Sequence, residues 1–217
     1  GHKMTDVDSF GACVGICRAA KQAGKAAHIV LGEVNSGIRP WISILEADIH
    51  DETLFVNHEQ AIEMTNQNTV VVVVDTNKPS MTECEELLYL TKTIVVFDHH
   101  RQGTEKIENA ALSYIEPSAS SACEMVSEIL QYYDDGIRLK PGEANCIYAG
   151  IIVDTNNFVA KTGMRTFEAA AFLRRNGADM TKVRKAFRND METYKARAEA
   201  VRHAETFMDC YAISICP

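Results

Sequence analysis

Two runs of β-branched and apolar residues, VVVVVD at 70–75 and TIVVFD at 93–98, constrain the fold more than anything else in this chain. Each is short, apolar at successive positions and closed by an aspartate. A segment apolar at both odd and even positions buries both faces, as a central strand of a parallel sheet does. HIVLGE (28–33) has the same character, and YAGIIVD (148–154) reads as a strand or, in part, as a helix. Helical patterns lie between them at 10–24, 81–91, 119–133 and 166–176. The first aligns Phe10, Cys13, Val14, Cys17 and Ala20 on one face, with Gly24 as its stop. The third opens on Ser120 and Ser121, has Glu124 three or four residues on, and offers Met125, Val126, Ile129 and Leu130 to a core. Strands alternating with helices imply an α/β fold with a doubly wound, mainly parallel β-sheet and helices on both faces.

Ligands of such sheets collect at the carboxyl ends of the strands. The sequence puts Asp75, Asp98 and Asp154 at three such ends, and four short segments concentrate hard-metal ligands there. They are His2-Lys3-Met4-Thr5-Asp6-Val7-Asp8, Val74-Asp75-Thr76, Asp98-His99-His100 and Gly150-Ile151-Ile152-Val153-Asp154-Thr155. Taken singly, an Asp after a strand is often a helix cap and a His pair is often part of a loop. Four such segments in this order on one α/β pattern point instead to a metal centre. Carboxylates with a minority of imidazoles suit Mn²⁺, Mg²⁺ or Fe²⁺. Asp6 and Asp8, two apart in an expected strand-to-helix loop, can face different cations, and Asp75 can bridge a pair with its two oxygens. Two cations about 3.5–4 Å apart would polarise a phosphoryl group and activate a water.

The four motifs, His-x3-Asp-x-Asp-Ser-x-Gly, Asp-Thr after a strand, Asp-His-His and Gly-Ile-x-x-Asp-Thr, resemble those of the DHH phosphoesterase superfamily, from residue 2 to about 207. The resemblance implies two Mn²⁺, with Fe²⁺ or Mg²⁺ as alternatives. His2, Asp6 and Asp75 would ligate one, and Asp8, Asp75, His99 and Asp154 the other. It casts His100 as the histidine that faces the substrate and Asp98 as the residue that fixes the tautomer of His99. VVVDTNKPSM (72–81), DHHRQG (98–103), EPSASSACEMVSEILQY (116–132), GIIVDTNNF (150–158) and KTGMRTFEAAAFLRRNGAD (161–179) further resemble cyclic-di-AMP phosphodiesterases of the GdpP type, which open that cyclic dinucleotide to linear pApA. The chain departs from them at Asn77, where His is commoner, and at Gln102, where Arg is commoner. An oligoribonuclease or 3′-phosphoadenosine phosphatase of the same superfamily, and a catalytically idle nucleotide-binding module, are the competing readings.

Arg101 can offer two hydrogen bonds to a phosphate near the metals. Ser118, Ser120 and Ser121 stand at a helix start that favours an anion, or else simply cap it. Arg165 can reach a second phosphate or make an internal salt bridge. Trp41 reads as a packing anchor, and His28, His50, His58 and His203 as surface or satisfied core residues.

The resemblance divides the chain into a DHH domain over 1–185, a linker helix over 186–208 and the start of a second, base-recognising domain at 209–217. With most of that domain beyond Pro217, manganese binding with weak or absent turnover of cyclic di-AMP is expected. Membrane helices are implied upstream of this stretch, which itself contains no apolar run near the ~20 residues of a span. Seven cysteines, at 13, 17, 84, 123, 146, 210 and 216, form no CxxC pair and read as free thiols in a reducing cytoplasm. The net charge of −8 argues against sequence-independent binding to long nucleic acid. A homodimer is admitted by the sequence but not required.

Overall fold

The computed structural model describes residues 1–134, 136–188 and 191–215. Its chain order begins with α1 (Val7–Gln22), β1 (Ile29–Val30), α2 (Arg39–Asp48), β2 (Phe55–Val56), α3 (His58–Met64) and β3 (Val70–Val74). It continues with α4 (Leu87–Leu90), β4 (Thr93–Asp98), β5 (Leu112–Ile115), α5 (Ala122–Tyr133), α6 (Pro141–Asp154) and α7 (Met164–Arg175). Then come α8 (Met180–Ala186), α9 (Met191–Arg202), β6 (Glu205–Phe207) and β7 (Tyr211–Ile213).

The fold is α/β, with parallel strands flanked by helices. β3, β4 and β5 form one parallel sheet in that order, and β1 pairs in parallel with β2. Val73 and Val96 are buried together with Leu88 of α4, while their neighbours Val74 and Phe97 are buried as well. Successive strand residues point to opposite faces, so both faces of the sheet are covered. The register Val74↔Phe97 and Asp98↔Ile115 brings the ends of the strands level.

Helix boundaries follow local chemistry. α1 starts earlier than position 10 because Asp6 caps it, its side chain accepting the Ser9 N–H at 2.9 Å. It stops before Gly24, whose φ of +69° breaks the helical path. The pattern at 81–91 resolves into a 3-10 turn, Pro79–Met81, and the single turn of α4. Trp41 is buried in α2, as a packing anchor should be.

The largest departure from expectation is YAGIIVD. This run is the second half of α6, so Asp154 ends a helix and not a strand. Pro141 begins α6, and every residue from Gly142 to Ile152 is buried, with α1, α2, α5 and α7 packed against the helix. A helix buried all round loses its polar stripe and mimics a buried strand in sequence. The packing against α1 is close. A Cβ on Gly11 would lie 2.6 Å from the Cys146 carbonyl oxygen, and one on Gly150 would lie 2.8 Å from the Cα of Asp8.

The chain separates into two units, Gly1–Val183 and Arg184–Pro217. In the second, no residue of α9 is buried, and β6 and β7 form an antiparallel hairpin. Cys216 and Pro217, the end of the expected second-domain start, lie outside the described residues, as do Asn189 and Asp190 of the expected linker. Cys13, Cys17, Cys84, Cys123, Cys146 and Cys210 are free thiols. No helix among the described residues is long and apolar enough to cross a membrane.

Candidate metal centre

The ligand-bearing segments arrive from four directions. Residues 1–3 run against 81–83: Lys3 N donates to the Met81 carbonyl at 2.7 Å and Glu83 N to the Gly1 carbonyl at 2.9 Å. That strap places His2 beside the end of β3. Asp6 and Asp8 belong to the start of α1, one as its cap and one in its first turn, rather than to a free loop. Asp75 follows β3, Asp98 ends β4 with His99 and His100 just beyond, and Asp154 ends α6. Met4 and Asp75 have φ of +55° and +63°, and Asn156, Asn157 and Phe158 after Asp154 are left-handed too. Such backbone costs of order 1–3 kcal/mol per residue and is typical of functional sites.

Three overlapping groups of side chains result: His2 with Asp6 and Asp75, Asp8 with His99 and Asp154, and Asp75 with His99 and His100. Within each, candidate ligand atoms lie within 4.8 Å of one another. His2 Nε2 is 3.6 Å from Asp6 Oδ2 and 3.4 Å from Asp75 Oδ2. His99 Nε2 is 3.2 Å from Asp75 Oδ1, 3.4 Å from Asp154 Oδ2 and 3.8 Å from Asp8 Oδ2. Asp75 therefore meets three histidines, His2 through Oδ2, and His99 and His100 through Oδ1. Its Oδ1 is buried and makes no well-aligned hydrogen bond among the described residues, its neighbours being the ring nitrogens of His99 at 3.2 Å and His100 at 3.6 Å. A buried carboxylate oxygen left in that state is costly unless a cation completes it.

The electrostatics agree. Burial, then the charges of Asp75 and Asp154, push the Asp8 carboxyl up to about 8. Burial also raises Asp154, against the pull of His99. Hydrogen bonding to Asp6, then to Asp75, raises His2 to about 10. Burial opposes the charged ring of His99, yet its close contact with Asp75 and the nearby carboxylates raise it to about 9. Burial works against ionised Asp75 too, but His2 and His99 hold it below the usual carboxylate range. Without cations the cluster compensates its crowded acids with protons. The carboxylate end of α6 adds to the strain, because a helix C-terminus disfavours negative charge. Oxygen and imidazole donors so arranged fit hard divalent cations.

Several expected roles are redistributed. Asp98 does not touch His99. Its Oδ1 accepts the His100 backbone N–H at 3.1 Å and lies 2.9 Å from His100 Nδ1. An aspartate that bonds the backbone two residues ahead turns its carboxylate toward that residue's side chain. Ser120 and Ser121 are buried, and both hydroxyls serve the protein: Ser120 Oγ donates to Glu124 Oε2 at 2.5 Å, and Ser121 Oγ caps α5 by accepting the Glu124 N–H. The α5 start does receive an anion, but it is Asp8, whose two oxygens accept the N–H groups of Ala122 (2.7 Å) and Cys123 (2.9 Å). Ser118 Oγ donates to Glu116 at 2.6 Å. Arg165 takes the internal option, 2.5 Å from Glu128 and 3.8 Å from Glu116. Arg101 is exposed beside His100.

Sequence reasoning missed the supports. Glu83, nearly buried, accepts from Thr5 Oγ1 (3.1 Å) and Gly32 N (3.0 Å) and lies 2.9 Å from His58 Nε2, tying the His2 strap to the body. Nothing around TECEE signals that role. Asn77 donates from Nδ2 to Asp98 Oδ2 at 2.5 Å.

A model described as "DHH family, N-terminal domain" matches residues 1–151. The whole chain is similar to the cyclic-di-AMP phosphodiesterase GdpP of Bacillus subtilis (strain 168), 39% identical over 219 residues and covering 33% of that protein. It is 35% identical over 216 residues to the cyclic-di-AMP phosphodiesterase PdeA of Listeria monocytogenes serotype 1/2a, covering 99% of this chain and 33% of that relative. The chain thus spans about a third of the length of these relatives. The crystal structure of an exopolyphosphatase-related protein from Bacteroides fragilis matches with a TM-score of 0.78 over 95% of this chain and 60% of that one, at 16% identity, and so shares the fold.

Proposed function

The chain belongs to the DHH family, and on that premise we propose that it is the metal-bearing domain of a phosphodiesterase that opens cyclic di-AMP to linear pApA. The observation that carries this reading is the convergence of the three ligand groups on Asp75, whose buried Oδ1 makes no well-aligned hydrogen bond. Its substrate comes from similarity to GdpP and PdeA over nearly the whole chain. His2, Asp6 and Asp75 would hold one Mn²⁺, and Asp8, Asp75, His99 and Asp154 a second, with Fe²⁺ or Mg²⁺ as substitutes. When bound, such a pair polarises a phosphoryl group, lowers the pKa of a water between the ions and clamps an in-line displacement.

The chain's own groups do the rest. Asp75, held ionised by the two histidines, bridges the two halves of the site. Asp8 is fixed by the α5 amides, so its carboxylate cannot swing away. His100, more than half exposed and backed by Asp98, faces the phosphate and stabilises its charge. Arg101 reaches the same phosphate with its fork of N–H donors.

The test is product analysis. The 217-residue chain and a full-length version of the protein are incubated with Mn²⁺ and, separately, cyclic di-AMP, cyclic di-GMP, pApA or 3′-phosphoadenosine 5′-phosphate. Metal-dependent appearance of pApA from cyclic di-AMP is expected. Attack on pApA or on the 3′-phosphate with the cyclic dinucleotides untouched would move the assignment to an oligoribonuclease or phosphatase. Nucleotide binding that survives chelation, without turnover, would make the domain an idle regulatory module.

A further inference from the structure

Asn77 belongs to none of the ligand groups, yet it is 3% exposed and lies two residues beyond Asp75. Its amide donates to Asp98 Oδ2 at 2.5 Å, and Asp98 is wholly buried. The other oxygen of that carboxylate faces His100, through the backbone N–H at 3.1 Å and Nδ1 at 2.9 Å. Asn77 Oδ1, by contrast, is buried with no partner among the described residues. The amide is therefore oriented by what it gives to Asp98, since a flipped amide would press its carbonyl against a carboxylate. Its main chain is pinned as well, the Asn77 carbonyl accepting the Ile107 N–H at 2.9 Å.

The geometry points to Asn77 as a positioning residue: it fixes the rotation of Asp98, which in turn holds the Nδ1 edge of His100 and turns the opposite edge of the ring outward. This deepens the proposed function and rests on its assignment of His100 to the phosphate. A carboxylate with one oxygen clamped offers the imidazole a single acceptor geometry; with that clamp gone, the carboxylate can rotate and the ring follows. The role requires only an N–H directed at Asp98 Oδ2. An imidazole can supply it, so a histidine at position 77 is expected to serve where an apolar side chain of similar size is not.

The test compares Asn77→Leu and Asn77→His in the chain, with folding followed by circular dichroism. The first readout is bound manganese per chain. The second is the long-range imidazole ¹H–¹⁵N spectrum with Mg²⁺, in which the His100 signals are identified by their loss in His100→Phe. The third is kcat and KM for cyclic di-AMP. Asn77→Leu is expected to keep its metals, to lose the single Nδ1-protonated pattern of His100, and to drop kcat by about 10- to 100-fold with KM nearly unchanged. Asn77→His is expected to restore both the spectrum and kcat. Unchanged His100 signals in Asn77→Leu, loss of its metals, or failure of Asn77→His to rescue would each overturn the assignment. Absence of cyclic di-AMP turnover in a full-length version of the protein would sink the proposed function instead, and the His100 spectrum would still decide the role of Asn77.

Discussion

The metal cluster and the expected phosphate rim are both polar, yet they differ in how far the protein satisfies them. At the cluster, Asp75 Oδ1 is buried without a well-aligned hydrogen bond, and the acids are crowded enough to hold protons they would ordinarily release. At the rim, Ser120 is bonded to Glu124, Ser121 caps α5, and Arg165 is paired with Glu128. A side chain whose valences are filled by its own fold supports structure, whereas one left incomplete in the interior marks where a ligand belongs. The contrast separates residues that the sequence lists side by side.

Replacing Asp75 with Ala attacks the cluster at its shared member. Activity is expected to fall by about 10³-fold or more with loss of both metals, while the circular dichroism spectrum stays native. Retention of two metals per chain would show that Asp75 is not the junction. Gly150→Ala tests the packing that delivers Asp8, since the new Cβ would sit 2.5 Å from Cys123 Sγ and 2.7 Å from Asp8 Oδ1. Overpacking of this kind costs about 2–3 kcal/mol, read as a lower denaturation midpoint, and metal occupancy should fall with it.

The pH dependence of the metal-free chain probes the same crowding. His2 and His99 have folded pKa values raised to about 10 and about 9 from 6.5, so the stability they contribute is present below pH 6.5 and lost as pH rises through those values. Asp8, raised to about 8 from 3.8, acts in the same direction between those two values, because the unfolded chain releases its proton first. The melting temperature of the metal-free protein should therefore decline from pH 6.5 to 9. Saturating Mn²⁺ should flatten or reverse the slope, because ligation displaces protons and tightens with pH. A pH-independent melting curve without metal would contradict the coupling.

On the rim, Ser121→Ala should cost about 1 kcal/mol of stability through the lost cap, with kcat and KM per folded molecule unchanged. Arg165→Leu should cost under about 1 kcal/mol, its ion pairs being partly exposed. A rise in KM for cyclic di-AMP in either variant, at unchanged metal content, would move that residue from structure to substrate and break the contrast.

Much of this was legible beforehand because it is local. Five β-branched valines ended by Asp75 favour a strand through local preference, and Asp6 caps α1 through the Ser9 N–H three residues on. The run ending in Asp154 reads as a strand or, in part, as a helix, and it forms a helix, because burial from Gly142 to Ile152 removes the periodicity that tells the two apart. Asp98, expected beside His99, bonds His100 instead; both follow it in sequence, and only side-chain direction at the end of β4 separates them. Asn77 registered only as a departure from resembling sequences, and Glu83 registered not at all.

The sequence by itself determined the inventory: parallel strands, acids at the ends of elements, and an oxygen-and-imidazole donor set suited to hard cations, all properties of residue types at short spacing. The tertiary structure alone decided the pairings. Asp8 meets the α5 amides across 114 residues of chain, and Arg165 meets Glu128 across 37. Which donor finds which acceptor over such separations depends on how helices and sheet pack, and short-range sequence pattern does not encode it.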